Sequence, residues 1–301
     1  MQSEDLTGTT IAGYQLLERV GEGGTATVYR AQHAERGVCA VKVLRAKLRN
    51  DRTAVQRFLR EAAFGARVEH PAVVKAYDYG AAEGLHYLAL EWADGELLVK
   101  FVRRSGPLAP PLASAIVEQI AAGLTAAHAA GIIHRDLKPE NIIYDPRTQR
   151  ARLLDFGIAR DAEAKPEERL TRTGFFVGTL QYVAPEALSG ELVGEPADIY
   201  SLATIAYFLL TAQLPYQGRS PRELFHQLLT QAPTPLGQAR RDLTFTRAVE
   251  DVVMRGLHRE PAKRQPTVAG FAQEFAVATS QTAAAGRGGL MGSLKGLFGG
   301  R

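Results

Sequence analysis

Sulfur is scarce in this 301-residue chain, which holds one cysteine and three methionines. A single cysteine excludes an intrachain disulfide and a cysteine metal cluster. Cys39 lies in the apolar run Val38-Cys39-Ala40-Val41 and reads as a small buried hydrophobe rather than a reactive thiol. Long apolar runs are missing as well. The longest, residues 202–210, is far short of the roughly 20 residues a bilayer span needs. Residues 1–10 are polar and acidic, without the apolar core of a secretory signal. These absences lead us to expect a cytoplasmic protein with no transmembrane segment. Neither sign of charge dominates: 36 Lys plus Arg face 32 Asp plus Glu, a net +4 without clustering. That balance argues against a nucleic-acid partner. Lysine is the rarer cation, only eight of the 36. No internal repeat is visible.

What is present suits a large globular protein. Apolar residues make up 46% and charged residues 23%, and this length can form two lobes. Residues 14–20 read as a strand, followed by Gly21-Glu22-Gly23-Gly24-Thr25 and a second strand from Ala26. Such glycines let backbone N–H groups approach a phosphate, and taken alone they fit a plain hairpin equally well. A dinucleotide site would need a helix after the glycines, whereas Ala26-Thr27-Val28-Tyr29 is β-type. Residues 38–44 form a third strand. Its apolar run is interrupted by Lys42, which is expected to point into a cleft and to want an anionic partner. Residues 53–68 carry helical periodicity through Val55, Phe58, Leu59, Ala62 and Ala66, with Glu61 among them. Residues 73–77 and 85–91 suggest a strand pair turning at Gly80 and Gly84. Beyond residues 92–95 the pattern turns helical, at 96–104 and 112–130, so the lobe boundary is placed there.

The densest chemistry lies in His134-Arg135-Asp136-Leu137-Lys138-Pro139-Glu140-Asn141, an acid, cations and an amide within eight residues. A short strand, Ile142-Ile143-Tyr144, follows. Another short strand ends in Asp155-Phe156-Gly157. Residues 158–180 are rich in charge, Thr and Gly, and a loop of that length in a compact domain is usually functional or disordered. After Ala184-Pro185-Glu186, helices are expected at 197–211 (buried), 221–229, 245–256 and 267–278. Residues 279–301 shift to Ala, Gly and Ser and read as a flexible tail. Within it Leu290, Met291, Leu294, Leu297 and Phe298 fall at helical spacing, so 287–301 is also a candidate for peripheral membrane contact.

Each of these features has an ordinary explanation. Their order does not. The glycine loop, Lys42, Glu61, residues 134–141, Asp155-Phe156-Gly157 and Ala184-Pro185-Glu186 together resemble the eukaryotic-type protein kinases, over about residues 14–278. Lys138-Pro139-Glu140 is similar to the Ser/Thr branch. Glu22-Gly23-Gly24-Thr25 and Gly178-Thr179-Leu180-Gln181-Tyr182 resemble the bacterial members. The resemblance implies an α+β, two-lobed protein kinase fold: a small β-rich N-lobe with one main helix (13–92) and a larger helical C-lobe (95–278), flanked by an extension at 1–12 and the tail. It implies ATP with Mg²⁺ (or Mn²⁺), protein substrates bearing Ser or Thr, and self-association for trans-autophosphorylation.

Residue roles carry over from the family pattern. Gly21, Gly23 and Gly24 would cradle phosphates, and Lys42, held by Glu61, would bind the α- and β-phosphates. Glu91 and Ala93 would meet the adenine edge with Leu90 guarding the pocket behind, while Val28, Ala40 and Ile143 sandwich the ring. Asp155 and Asn141 would bind metal. Asp136 would handle the substrate hydroxyl proton, Lys138 would sit near the moving phosphate, and Thr179 would orient both. Glu186 is expected to pair with Arg264, Asp198 to brace the catalytic loop, and His134 to pack behind Phe156. Two guanidiniums, Arg135 and Arg160, suit a phosphate, which makes Thr171 and Thr173 the expected phosphorylation sites of the activation loop.

Three positions depart from the pattern. Ala26 stands where a third loop glycine is usual, Ala203 replaces a glycine in the buried helix, and Gly65 is small where an apolar residue is common. A pseudokinase on the same fold is the rival reading. It predicts loss of Lys42, Asp136, Asn141 or Asp155, and all four are present. A small-molecule phosphotransferase would generally lack the Lys-Pro-Glu run and Ala184-Pro185-Glu186.

Overall fold

Alternation along the strand Gly37–Leu44 organises the first lobe. Cys39, Val41 and Val43 face one way and join Tyr14, Leu16, Tyr29 and Tyr87 in a buried core. Ala40 and Leu44 face the other way, into a second core with Phe58, Ala62, Leu88 and Leu90. A strand with both faces covered reads as a continuous apolar run, which is why Lys42 stands out in it. The computed structural model describes residues 4–154, 180–188, 193–218 and 220–295, with 282–295 as backbone alone. Six antiparallel strands form the sheet: β1 (Thr10–Ile11), β2 (Tyr14–Glu22), β3 (Ala26–His33), β4 (Gly37–Leu44), β5 (Ala76–Ala82) and β6 (Leu85–Glu91). Their spatial order is β1-β2-β3-β4-β6-β5.

Two details of this lobe differ from expectation. The turn of the last hairpin falls at Glu83 and Gly84, both at positive φ, while Gly80 lies inside β5. Val73 makes only an isolated bridge to Leu153. At the other end, the segment expected as an extension packs on the sheet from Leu6 onward. Leu6 and Ile11 are buried in the core, and the Leu6 N–H donates to Tyr29 Oη at 3.2 Å.

Helix α1 (Arg52–Gly65) begins at Asp51, whose carboxylate accepts from the N–H groups of Thr53 and Ala54. Such a cap stabilises a helix by about 1 kcal/mol. Phe58 and Ala62 are its buried residues, and Glu61 lies on the turn between them.

The lobes are joined at Gly95, whose φ is +117°. A Cβ there would stand 2.4 Å from Tyr144 O, so the connector must be glycine to lie against the second lobe. That lobe contains a three-stranded sheet of β7 (Glu96–Leu97), β8 (Ile142–Asp145) and β9 (Arg150–Leu153). Around it stand α2 (Leu98–Ser105), α3 (Pro110–Ala129), α4 (Pro185–Leu188), α5 (Glu195–Thr211), α6 (Pro221–Thr230), α7 (Leu236–Ala239), α8 (Arg247–Gly256) and α9 (Val268–Lys295). Every residue of α5 from Ala197 to Thr211 is buried, the signature of a helix that is the centre of a core. Gly256 of α8 lets the neighbouring helices close: its Cβ would meet Ala203 Cβ at 2.6 Å. Glu186 and Arg264 form the expected pair, bidentate at 2.6 and 2.7 Å and almost fully buried.

The C-terminal stretch corrects the sequence reading. Residues 279–295, expected as part of a flexible tail, continue α9 as helix. Thr279 Oγ1 bonds back to Phe275 O, and the alanines at 283–285 favour propagation, which outweighs the glycines beyond them. Residues 296–301 lie outside the described residues.

Gly95→Ala combines a left-handed backbone strain with a clash against β8 backbone. We expect it to destabilise the protein by about 3 kcal/mol, read as a lowered denaturant midpoint with an unchanged slope. An unaltered midpoint would mean that the connector does not need this approach.

Candidate active site

The register of the first sheet gathers one set of groups. Lys42 lies opposite Val28 on β3 and Leu88 on β6, and Ala40 lies opposite Leu90. Cross-strand partners share a face, so Val28, Ala40, Lys42, Leu88 and Leu90 all look toward the cleft between the lobes. Ala93 of the connector and Ile143 of β8 belong to the same apolar cluster. Lys42 is half-buried and is the cation on this face of β4. Glu61 on α1 is half-buried on the helix side turned to that cluster.

The glycine loop is explained by what it leaves open. Gly21, Gly23 and Gly24 have no positive φ, and a Cβ added at Gly21 or Gly24 would meet nothing within 4 Å. Neither packing nor backbone conformation therefore demands glycine at those two positions. Both positions face open space, and bare backbone N–H groups suit phosphate oxygens.

Across the cleft, three residues of the expected catalytic loop are in contact. Lys138 Nζ donates to Asp136 Oδ2 at 2.9 Å. Asn141 Nδ2 donates to Asp136 O at 2.9 Å and to Asp136 Oδ2 at 3.2 Å. The amide nitrogen of Asn141 is thus spent on Asp136, and its oxygen is the ligand type a hard divalent cation takes. The Leu154 N–H donates to Asn141 O, which brings the chain beside Asn141 one residue before Asp155. The residues present fit a metal-bound nucleotide: a phosphate cradle without side chains, a cation facing it and an oxygen donor.

The loop itself is held from below. Arg135 has φ +62°, a left-handed conformation that is strained for a non-glycine residue. Asp198, fully buried in the first turn of α5, accepts from the N–H groups of His134 and Arg135 at 2.8 and 3.0 Å. His128 Nε2 lies 2.8 Å from the same carboxylate, and its Nδ1 is 3.5 Å from Glu195. Asp198 was foreseen as a brace; His128 was not. Its Leu-Thr-Ala-Ala-His setting carries no local signal of a partner 70 residues away.

Arg152 was also missed. From β9 its guanidinium forms a bidentate pair with Glu91, Nη1 standing 2.9 Å from Oε1, and donates to Val73 O at 3.2 Å. The side chain of the expected hinge residue is therefore anchored to the second lobe, and its N–H donates to Lys75 O at 2.9 Å. Gly123 of α3 assists: a Cβ there would meet Leu153 at 2.9 Å and Ala72 O at 3.3 Å, so glycine lets helix and strand close up. His134 is fully buried, and the residue it is expected to pack behind, Phe156, lies outside the described residues. Asp155, Phe156, Arg160, Thr171, Thr173 and Thr179 lie outside the described residues. No helix among the described residues is long and apolar enough to cross a membrane.

Comparison with known proteins agrees with this geometry. The protein kinase domain model matches residues 14–275. The serine/threonine-protein kinase pkn3 of Myxococcus xanthus is 36% identical over 280 residues, covering 91% of this chain and 51% of that protein. The serine/threonine-protein kinase PknH of Mycobacterium tuberculosis is 39% identical over 258 residues, covering 85% of this chain and 40% of that protein. The crystal structure of the Mycobacterium tuberculosis PknI kinase domain superposes with a TM-score of 0.69 at 30% identity, covering 89% of this chain and 97% of that one. The chain thus spans about half or less of the length of these curated relatives.

The Glu91–Arg152 pair gives a pH test. Its hydrogen bonds and the guanidinium charge hold the Glu91 carboxyl below the usual carboxylate range. A depressed carboxyl stabilises the fold above its unfolded pKa, and the contribution fades as pH falls through the lower folded value. The stability lost in Arg152→Ala should therefore be full near neutral pH and narrow below about pH 4. Denaturant titration of both proteins at the two ends of that range reads it, and a pH-independent difference would exclude the linkage.

Proposed function

The chain belongs to the protein kinase domain family, and from that premise we propose that it is a serine/threonine protein kinase, moving the γ-phosphate of ATP to Ser and Thr hydroxyls of proteins. One observation carries this reading: Asp136, Lys138 and Asn141 are linked by hydrogen bonds on a loop that Asp198 holds by its backbone. A carboxylate fixed in this way can take or orient a hydroxyl proton. An ammonium 2.9 Å from it can follow the transferred phosphoryl group as negative charge spreads over its oxygens.

Bound ATP with its divalent cation supplies the phosphoryl group and neutralises charge between phosphates. The chain's own residues do the rest. Gly21, Gly23 and Gly24 present backbone; Lys42, paired with Glu61, holds the α- and β-phosphates. Val28, Ala40 and Ile143 enclose the adenine, whose edge meets the backbone of Glu91 and Ala93 with Leu90 behind. Asn141 and Asp155 hold the cation. Mg²⁺ is the proposed ion, Mn²⁺ the substitute, since both suit oxygen donors. Thr179 orients Asp136 and Lys138.

Regulation belongs to the same reading. Arg135 and Arg160 would receive a phosphate on Thr171 or Thr173 and order the loop, through self-association of two copies. The need for ATP supports a cytoplasmic location for this domain. Contact of the 287–301 segment with a membrane surface is a further arm to test.

The experiment is transfer of labelled γ-phosphate to a model protein substrate. Asp136→Asn should lower the rate at least about 100-fold at unchanged stability. Wild type no faster than the variant would favour a scaffold. Mass spectrometry of the active protein should find phosphate on Thr171 or Thr173. Full activity with both unmodified would remove the loop proposal. Parallel reactions with Mg²⁺ and Mn²⁺ rank the ions, and vesicle sedimentation reads the membrane arm.

A further inference from the structure

The glycine loop has an unusual amount of one side chain on it. Arg45 follows the last residue of β4 and touches three successive parts of the loop. Its backbone N–H donates to Thr25 O at 3.0 Å. Its Nη1 donates to Gly23 O at 3.1 Å. Its Nη2 pairs with Glu22 Oε1 at 2.7 Å, both side chains being mostly covered, at 26% and 21% exposure. The other oxygen of Glu22 pairs with Arg19. The loop's own internal bond, Gly23 N–H to Ala26 O at 2.8 Å, adds to this set.

An isolated surface ion pair contributes little. Here one guanidinium engages a carboxylate and a main-chain carbonyl at once through two nitrogens of its rigid, pre-organised fork. Two consequences follow. Glycine-rich backbone has large conformational freedom to lose on ordering, and Arg45 removes part of that freedom before any ligand arrives. Glu22 also puts a negative charge on a loop that is to meet a triphosphate. Arg45 and Arg19 neutralise it.

We propose that Arg45 is a positioning residue for phosphate binding: its guanidinium latches the loop at Gly23 and masks the charge of Glu22. The proposal rests on the kinase reading above, because it assigns triphosphate to that loop. The latch directly follows the strand that carries Lys42, three residues upstream, so the loop and the phosphate-binding cation are positioned by one stretch of chain.

The test compares wild type, Arg45→Ala and the double variant Arg45→Ala with Glu22→Gln. Calorimetry would measure Mg-ATP and adenosine binding, and hydrogen exchange would follow the loop amides without nucleotide. Arg45→Ala should weaken Mg-ATP about fivefold and adenosine by less than about twofold. The double variant should recover most of the Mg-ATP loss, because the unmasked charge is gone. Loop amides should exchange faster in Arg45→Ala while those of β4 stay unchanged. Equal weakening of Mg-ATP and adenosine, no recovery in the double variant, or unchanged loop exchange would each overturn the proposal. A wild type that binds neither compound would overturn the kinase reading, and the exchange comparison would then decide the latch by itself.

Discussion

The carboxylate of Asp198 sits with no solvent exposure at the start of a helix whose next turns are all buried. A buried charge is tolerated only when its lone pairs are taken up. Here they are taken by the His134 and Arg135 N–H groups and by His128. The need runs in both directions. Asp198 needs those donors, and the catalytic loop needs Asp198, because Arg135 stays at φ +62° only if something outside it holds it there. The hydrogen-bonded set of Asp136, Lys138 and Asn141 is built on that turn. The site is therefore as rigid as the C-lobe core beneath it, and its precision derives from α5 rather than from the loop.

The opposite wall of the cleft is fixed by a different constraint, the two-sided burial of β4. One face belongs to the core with Tyr29 and Tyr87, the other to the core under α1. With both faces committed, β4 cannot slip by one residue without turning its apolar set inside out. Lys42 and Arg45 inherit that fixed register. The two walls meet at the connector. There Gly95 lies against the β8 backbone, while Arg152 ties Glu91 and Val73 to β9. The lobes are thus joined by a close backbone contact and an ion pair beside the proposed adenine position.

Much of this could be read from residue order, for reasons visible in particular elements. Lys42 stood out because β4 is otherwise apolar. Residues 134–141 stood out because so many chemical groups are local in sequence. Asp198 and the Glu186–Arg264 pair were accessible through family resemblance. What escaped depended on partners distant in sequence or on backbone shape. Arg152 and Glu91 are 61 residues apart, and neither carries a mark of the other. Gly95 looked like any connector glycine until its φ and its distance to Tyr144 were seen. The helix from 279 to 295 was misjudged because composition was weighed above continuity: a helix already nucleated extends through residues that would not start one. Leu6 was grouped with a polar extension because one apolar residue among acids gives no period, yet it covers the edge of the core.

The scarcity of lysine also gains a structural meaning. The cations that tie elements together are arginines acting on several acceptors at once. Arg264 bonds both oxygens of Glu186 and the carbonyls of His258, Arg259 and Pro196. Arg152 reaches a carboxylate and Val73 O. Arg67 reaches Ala130 O from the N-lobe side, and Arg45 reaches Glu22 and Gly23 O. Arg264, Arg152 and Arg45 each use the fixed fork of a guanidinium, with donors enough to satisfy a carboxylate and a backbone carbonyl together. The two lysines that face the cleft, Lys42 and Lys138, stand where a compact mobile charge serves better than a fork, beside the proposed phosphate path. Among these residues the arginines hold elements together, and the two lysines face the proposed ligand.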